Sequence, residues 1–231
     1  MQTFNASHAN RTPAAPMAAL AMRGAANMPP QREPAVPSSR RTFERGEEIF
    51  AEGGSCDVFY KVISGTVRTG KLLSDGRRQI DAFHFAGDVF GLESGAAHRF
   101  TAEAVDEVTV AVYRRGSFGG LVKADPAFGE QLMAATLSNL DRAHDHMVLL
   151  GRKTALEKMA SFLIDIADRR AHADRAELPM QRTDIADHLG LTIETVSRTL
   201  TQMVNDGLIR LANAGRTVIL SDKAALRLLC A

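Results

Sequence analysis

Residues 182–200 constrain the fold more than any other stretch, because they read as two short helices joined at Gly190. Lacking a Cβ, glycine takes the positive φ of so tight a turn at no steric cost. Thr183 is expected to cap the first helix, which buries Ile185 and Leu189. Thr192 is expected to cap the second, its hydroxyl accepting a backbone N–H left open at the helix start. The second helix carries an apolar stripe, Ile193, Val196, Leu200 and Met203, at the spacing of one helical face. Opposite it, near the start, stand Glu194, Thr195, Ser197, Arg198 and Gln202. An apolar back and a Glu/Ser/Arg front suit insertion into the major groove of double-stranded DNA. Glu194 and Arg198 also stand at i,i+4, where an ion pair would pre-orient the arginine.

The chain before this motif divides into two patterns. Residues 42–115 read as short strands, with turns at Gly46, Gly53-Gly54, Gly65, Asp75-Gly76, Gly87-Asp88 and Gly95. Val108, Val110 and Val112 alternate with Thr109, Ala111 and Tyr113, the period of a half-buried strand. Such regular short strands predict a sandwich or jelly-roll barrel. Residues 116–125 look like a helical connector. From Pro126 to about residue 150 a single long helix is expected, with Pro126 in its first turn. Leu132, Thr136, Leu140, Ala143, Met147 and Leu150 repeat at nearly 3.5 residues, the period of a coiled-coil seam. The bland alternative is a helix packed on its own barrel. A homodimer is favoured, since a palindromic target needs two recognition helices.

Residues 152–231 read as a second, small domain. Residues 155–170 form a helix burying Leu156, Met159, Phe162, Leu163 and Ile166. After Gly207, residues 208–211 and 217–220 are short strands around the turn Asn213-Ala214-Gly215, a wing following the helix-turn-helix. Ser221 or Asp222 then caps a last helix over 223–229. The domain holds 12 Lys/Arg against 10 Asp/Glu. Arg182, Thr192, Thr195 and Arg216 are candidate phosphate contacts, which position a domain on DNA without reading sequence.

Charge and cysteines narrow the classes. The net charge of +1 argues against histone-like coating of DNA but leaves room for locally basic surfaces. Cys56 and Cys230 are the only cysteines, with no disulfide framework or zinc spacing, which fits a reducing compartment. No run approaches the ~20 apolar residues of a membrane span. Residues 14–26, broken by Pro16 and Arg23, make a poor signal peptide. The expected location is the cytoplasm, with no membrane partner. Residues 1–41, rich in Ala, Pro, Asn and Ser, are expected to be a disordered extension. His144 and His146 lie two apart on a helix and form no metal pair, so no metal site is expected. No catalytic constellation or P-loop ending is present, and an enzyme is not expected.

These features together resemble the Crp/Fnr superfamily of bacterial transcription regulators. The order is a β-roll, a long helix and a winged helix-turn-helix. The β-roll turns of the family resemble the stretches Gly46–Gly53, Phe59–Gly65 and Gly87–Gly91 of this chain. Within it, Thr192-Ile193-Glu194-Thr195-Val196-Ser197-Arg198 looks like the Fnr/FixK branch, and Phe83–Gly95 is most similar to the FixK group. The implied fold is α+β: an extension over 1–41, a cyclic-nucleotide-binding-like β-roll over 42–125, a dimerisation helix over 126–151, and a winged helix-turn-helix over 152–231. The resemblance implies that Glu194, Ser197 and Arg198, with Ile193, read bases of a TTGA…TCAA type palindrome. Arginine can bridge guanine O6 and N7, and glutamate can accept from cytosine N4, each worth about 1–3 kcal/mol of discrimination. It further implies activation through RNA polymerase, and the turn bearing Asp75, Arg77 and Arg78 lies where the family places one such surface.

The resemblance also raises the question of a sensor. An iron–sulfur cluster needs more cysteine ligands than two. A cyclic nucleotide pocket would be expected at Gly91-Leu92-Glu93 and Arg99-Phe100-Thr101, but Leu92 and Phe100 stand where polar groups belong, and a buried phosphate without donors is costly. The expectation is therefore no cofactor, with an oxygen-linked FixK-like activator as the leading role. A cyclic-nucleotide-responsive regulator of the cAMP receptor type is the alternative. Neither Cys56 nor Cys230 is placed to control the recognition helix.

Overall fold

The computed structural model describes residues 39–170 and 174–230, so the expectation for the N-terminal extension falls almost wholly outside the described residues. Eight strands come first: β1 (Ser39–Phe43), β2 (Glu48–Phe50), β3 (Val58–Ser64), β4 (Val67–Leu72), β5 (Arg78–His84), β6 (Val89–Phe90), β7 (Thr101–Ala104) and β8 (Val108–Arg114). They pair as two four-stranded antiparallel sheets, β1-β8-β3-β6 and β2-β7-β4-β5. Phe43, Tyr60, Val62, Val67, Phe90, Val108 and Val110 fill the space between them.

Strand β1 begins at Ser39, earlier than the expected boundary at 42. Arg40, Arg41 and Thr42 extend the ladder along β8, where backbone pairing carries residues whose side chains are exposed. Strand β8 is buried more fully than simple alternation predicts. Ala111 and Tyr113 point away from the roll's interior, yet they are covered by α1 (Phe118–Ala124) and the start of α2 (Pro126–Arg152) through Leu121, Phe128 and Leu132.

Helix α2 starts as expected, with Pro126 in its first position and Asp125 accepting the Phe128 N–H at 3.1 Å. Its exposed apolar stripe is rotated from the one read in the sequence. Leu132 is buried against the β-roll, and Leu150 packs on the C-terminal core. Leu140 and Met147 are exposed as expected, but they share the open face with Met133, Leu137 and Val148. Thr136 and Ala143 lie exposed at its border. The heptad-like spacing mixed two faces because each end of α2 also needs residues for its own chain.

The C-terminal domain comprises α3 (Ala155–Arg169), β9 (Arg175–Glu177), α4 (Arg182–Leu189), α5 (Ile193–Asn205), β10 (Ile209–Ala212), β11 (Thr217–Leu220) and α6 (Lys223–Cys230). Thr154 and Glu157 form a reciprocal capping box that starts α3. Strand β9, too short for a periodic signal, adds to the wing to give the order β10-β11-β9. The core of this domain, including Met159, Leu163, Ile185, Leu200 and Leu226, continues without a break into Ile80, Phe83 and Phe85 of the β-roll.

Candidate nucleic-acid interface

The helix-turn-helix is built from local signals. Gly190 adopts φ 61°, and a Cβ there would also crowd Leu150 Cδ2 at 3.3 Å. Thr192 caps α5, its hydroxyl accepting the Thr195 N–H at 3.2 Å. Thr183 does not cap α4 as expected. Gln181 holds that position, and the Asp184 carboxylate reaches back to accept the Gln181 N–H at 3.1 Å. Thr183 instead lies within the first turn, its side chain exposed.

Helix α5 separates its two jobs by face. Val196, Leu200 and Met203 are buried, and Thr199 joins them. Glu194 and Arg198 are exposed and Ser197 is half-buried, all toward the helix start. Ile193, part of the expected apolar stripe, is 39% exposed and so lies with the outward residues. Hydrogen bonding by its own backbone N–H, then the Thr192 hydroxyl and the nearby Arg198 charge, hold the Glu194 carboxyl below its usual range. It is thus an acceptor at neutral pH. Arg182 Nη1 donates to Ser197 Oγ at 3.3 Å, linking the start of α4 to the recognition face. Thr192 and Arg216 are exposed nearby, and Thr195 is half-buried.

The β-roll grips this motif directly. Arg68 Nη1 and Arg78 Nη2 both reach Asp184 Oδ1, at 3.0 and 2.5 Å, and Arg78 Nε reaches Asp187 Oδ2 at 2.8 Å. Gln79 Nε2 donates to the His188 carbonyl, and His188 Nδ1 lies 3.2 Å from the Ile80 carbonyl. Arg169 of α3 pairs with Asp88 at 2.5 Å and donates to the Phe83 carbonyl at 2.8 Å. Sequence reading missed this grip, since its partners are about a hundred residues apart. It also changes the place of Arg78. That residue was expected on an exposed turn with Asp75 and Arg77, but it folds inward onto α4. Asp75 and Arg77 remain at the surface, paired with each other at 2.7 Å.

The segments compared with a cyclic nucleotide pocket are engaged internally. Glu93 accepts the Arg99 N–H at 2.8 Å and sits 3.2 Å from His98 Nδ1, while Thr101 accepts the Glu52 N–H. Leu92 packs beneath α1 and α2, and the Arg99 guanidinium lies over the Phe100 ring. Glu93 is thus engaged within its own chain, and Leu92 is turned toward the core.

Among the described residues no helix is long and apolar enough to cross a membrane. A family model described as a cyclic nucleotide-binding domain matches residues 40–125, and one described as a Crp-like helix-turn-helix domain matches residues 157–229. The chain is 43% identical over 189 residues to the nitrogen fixation regulation protein FixK of Rhizobium meliloti, covering 82% of this chain and 86% of that one. It is 46% identical over 190 residues to FixK of Azorhizobium caulinodans, covering 80% and 76%. The solved structure of FixK2 from Bradyrhizobium japonicum superposes with a TM-score of 0.78 at 44% identity, over 85% of this chain and 98% of that one. The relatives are named as regulators rather than enzymes. With a β-roll, a long helix and a winged helix-turn-helix in that order, the chain belongs to the Crp/Fnr family of transcription regulators, in the company of the FixK proteins.

Proposed function

We propose that the protein is a homodimeric transcription activator that binds a TTGA…TCAA type palindrome in the cytoplasm, within an oxygen-linked circuit. The observation that carries this reading is the division of α5. Glu194, Ser197 and Arg198 project from its first turns while Val196, Leu200 and Met203 anchor it from behind. Each half-site receives one such helix. Arg198 pairs with guanine and Glu194 with cytosine, and Ile193 and Ser197 border the same bases. Arg182, Thr192, Thr195 and Arg216 hold flanking phosphates.

Pairing follows from α2. Met133, Leu137, Leu140 and Met147 leave an exposed apolar stripe along a 27-residue helix, and a second copy of the same helix buries it. The FixK relatives are named for nitrogen fixation regulation, which supports a regulator of that kind of gene. RNA polymerase is met at the β4–β5 turn through Asp75 and Arg77. No cofactor is required, and abundance or modification sets activity. Selection of binding sites from random duplex DNA tests the reading. It should enrich a two-fold symmetric TTGA…TCAA sequence, whereas an asymmetric motif or none would overturn it.

A further inference from the structure

Helices α2 and α3 are joined by Lys153 and Thr154 alone, both extended, with ψ 146° and 167°. Two rods on so short a link can change their angle unless something ties them together away from it. Asp88, in the turn between β5 and β6, makes that tie. Its Oδ2 accepts Arg169 Nη2 at 2.5 Å, and its Oδ1 lies 3.5 Å from Arg142 Nη2. At 1.5 Å per residue, Arg142 stands about 16 Å along α2 from the link and Arg169 about 22 Å along α3. One carboxylate thus closes a triangle whose sides are the two helices and whose apex is the link.

The turn that carries Asp88 is itself fixed. Gly87 N donates to the Val62 carbonyl at 2.8 Å, Asp88 N to the Phe85 carbonyl at 2.9 Å, and Phe85 N back to Asp88 Oδ2 at 2.8 Å. Beside it, Asn139 of α2 donates to the Val89 carbonyl at 2.9 Å and accepts Arg142 through Oδ1. The Arg169 guanidinium lies 4.6 Å over the Phe85 ring. All three charged side chains are less than a third exposed, so salt screens them weakly.

The same face of α2 continues as His146, stacked on His188 of α4 at 4.2 Å, and Leu150, packed on the C-terminal core. Rings and leucines tolerate sliding, whereas a guanidinium on a fixed carboxylate is directional. In a dimer paired through the open face of α2, the angle between α2 and α3 decides how far each α5 stands from the two-fold axis.

We infer that Asp88, by clasping Arg142 and Arg169, sets the separation of the two recognition helices and with it the one half-site spacing that the dimer accepts. Asp88 and Arg142 are positioning residues in this role. The inference rests on the dimer and operator reading above.

The test titrates wild type, Arg142→Met, Arg142→Lys and Asp88→Asn, by fluorescence anisotropy, with duplexes carrying both half-sites at the selected spacing or at one base pair more or fewer. One base pair shifts the second half-site by about 3.4 Å and turns it by about 35°. Wild type should prefer the selected spacing by about a hundredfold, because a misplaced half-site forfeits its base contacts. Arg142→Met, which leaves the Asp88–Arg169 pair in place, should narrow that preference about tenfold, on the scale of one base contact, and Asp88→Asn should do the same. Arg142→Lys should recover part of it. A merely structural role would weaken every duplex alike. An unchanged preference in Arg142→Met dimers with wild-type unfolding behaviour would overturn the inference, and so would wild type that favours operator over scrambled DNA yet accepts all spacings. Wild type that binds operator and scrambled duplexes equally would count instead against the operator reading, a result distinct from the spacing profile.

Discussion

Asp184 Oδ1 lies 3.0 Å from Arg68 Nη1, across the boundary between the β-roll and the helix-turn-helix. The same carboxylate caps the start of α4 and accepts Arg78 at 2.5 Å, with only 4% of its side chain exposed. One buried acid therefore both begins the first helix of the DNA-binding motif and docks it on the sensor-like domain. Removing it leaves Arg68 with Glu103 alone and Arg78 with Asp187 alone, and takes away the buried carboxylate that the two arginines share. Asp184→Ala should lower stability by about 3 kcal/mol, the scale for breaking a buried pair, while Arg78→Ala, whose side chain is a third exposed, should cost about 1 kcal/mol. Urea unfolding measures both. Equal, small losses would show that the grip contributes little.

In the proposed dimer, the open face of α2 separates dimerisation from folding. Leu137→Glu combined with Leu140→Glu should give folded monomers in analytical ultracentrifugation that bind operator poorly. Leu132→Glu should behave differently, because Leu132 lies under the β-roll with Phe59 and Tyr113. It should unfold that domain, at a cost of several kcal/mol for a charge buried without a partner. A double variant that remains dimeric would move the interface off this helix.

One buried and one partly buried histidine, His84 and His188, make stability depend on pH. Burial pushes His188 down to about 3, with the stacked His146 ring adding to the shift. Burial likewise lowers His84 to about 4, partly offset by Asp88. The unfolded chain takes up protons from about pH 6.5 downward while the folded chain does not, so stability is greatest above that pH and falls on acidification. Each histidine contributes up to about 1.4 kcal/mol per pH unit between about 6.5 and its folded value. His188→Phe keeps a ring against Phe83 and Phe162 but cannot titrate. Its stability should fall less steeply between pH 6.5 and 5 in urea unfolding, and a slope equal to wild type would contradict this account.

The exposed pair Asp75 and Arg77 gives a prediction for activation. A double alanine variant should bind operator with wild-type affinity yet lose most activated transcription in a purified system. Full activation by that variant would place the polymerase contact elsewhere.

Local chemistry carried most of the fold into the sequence. Gly190, Thr192 and the stripe Val196-Leu200-Met203 announce a helix-turn-helix because capping, turn geometry and amphipathicity act within a few residues. Long-range pairings leave no such mark. Nothing near Arg78 indicates that it meets Asp184 and Asp187 rather than solvent, and its neighbour Arg77 does stay outside. Helix α2 shows the same limit differently. Its apolar period is visible, but period alone does not say whether Leu132 meets its own β-roll or Leu140 a second chain. The cap of α4 was misplaced because threonine is a good cap in general, whereas here Asp184 is held by two arginines and selects Gln181.

The central claim is that the outward face of α5 reads bases. The ratio of operator to scrambled-DNA affinity, compared between wild type and Arg198→Ala at one salt concentration, tests it most directly. Base reading predicts that the variant loses about ten- to a hundredfold in that ratio for each half-site, with scrambled-DNA affinity changed much less. If both affinities fell together and the ratio held, Arg198 would be a phosphate contact and the account would be contradicted.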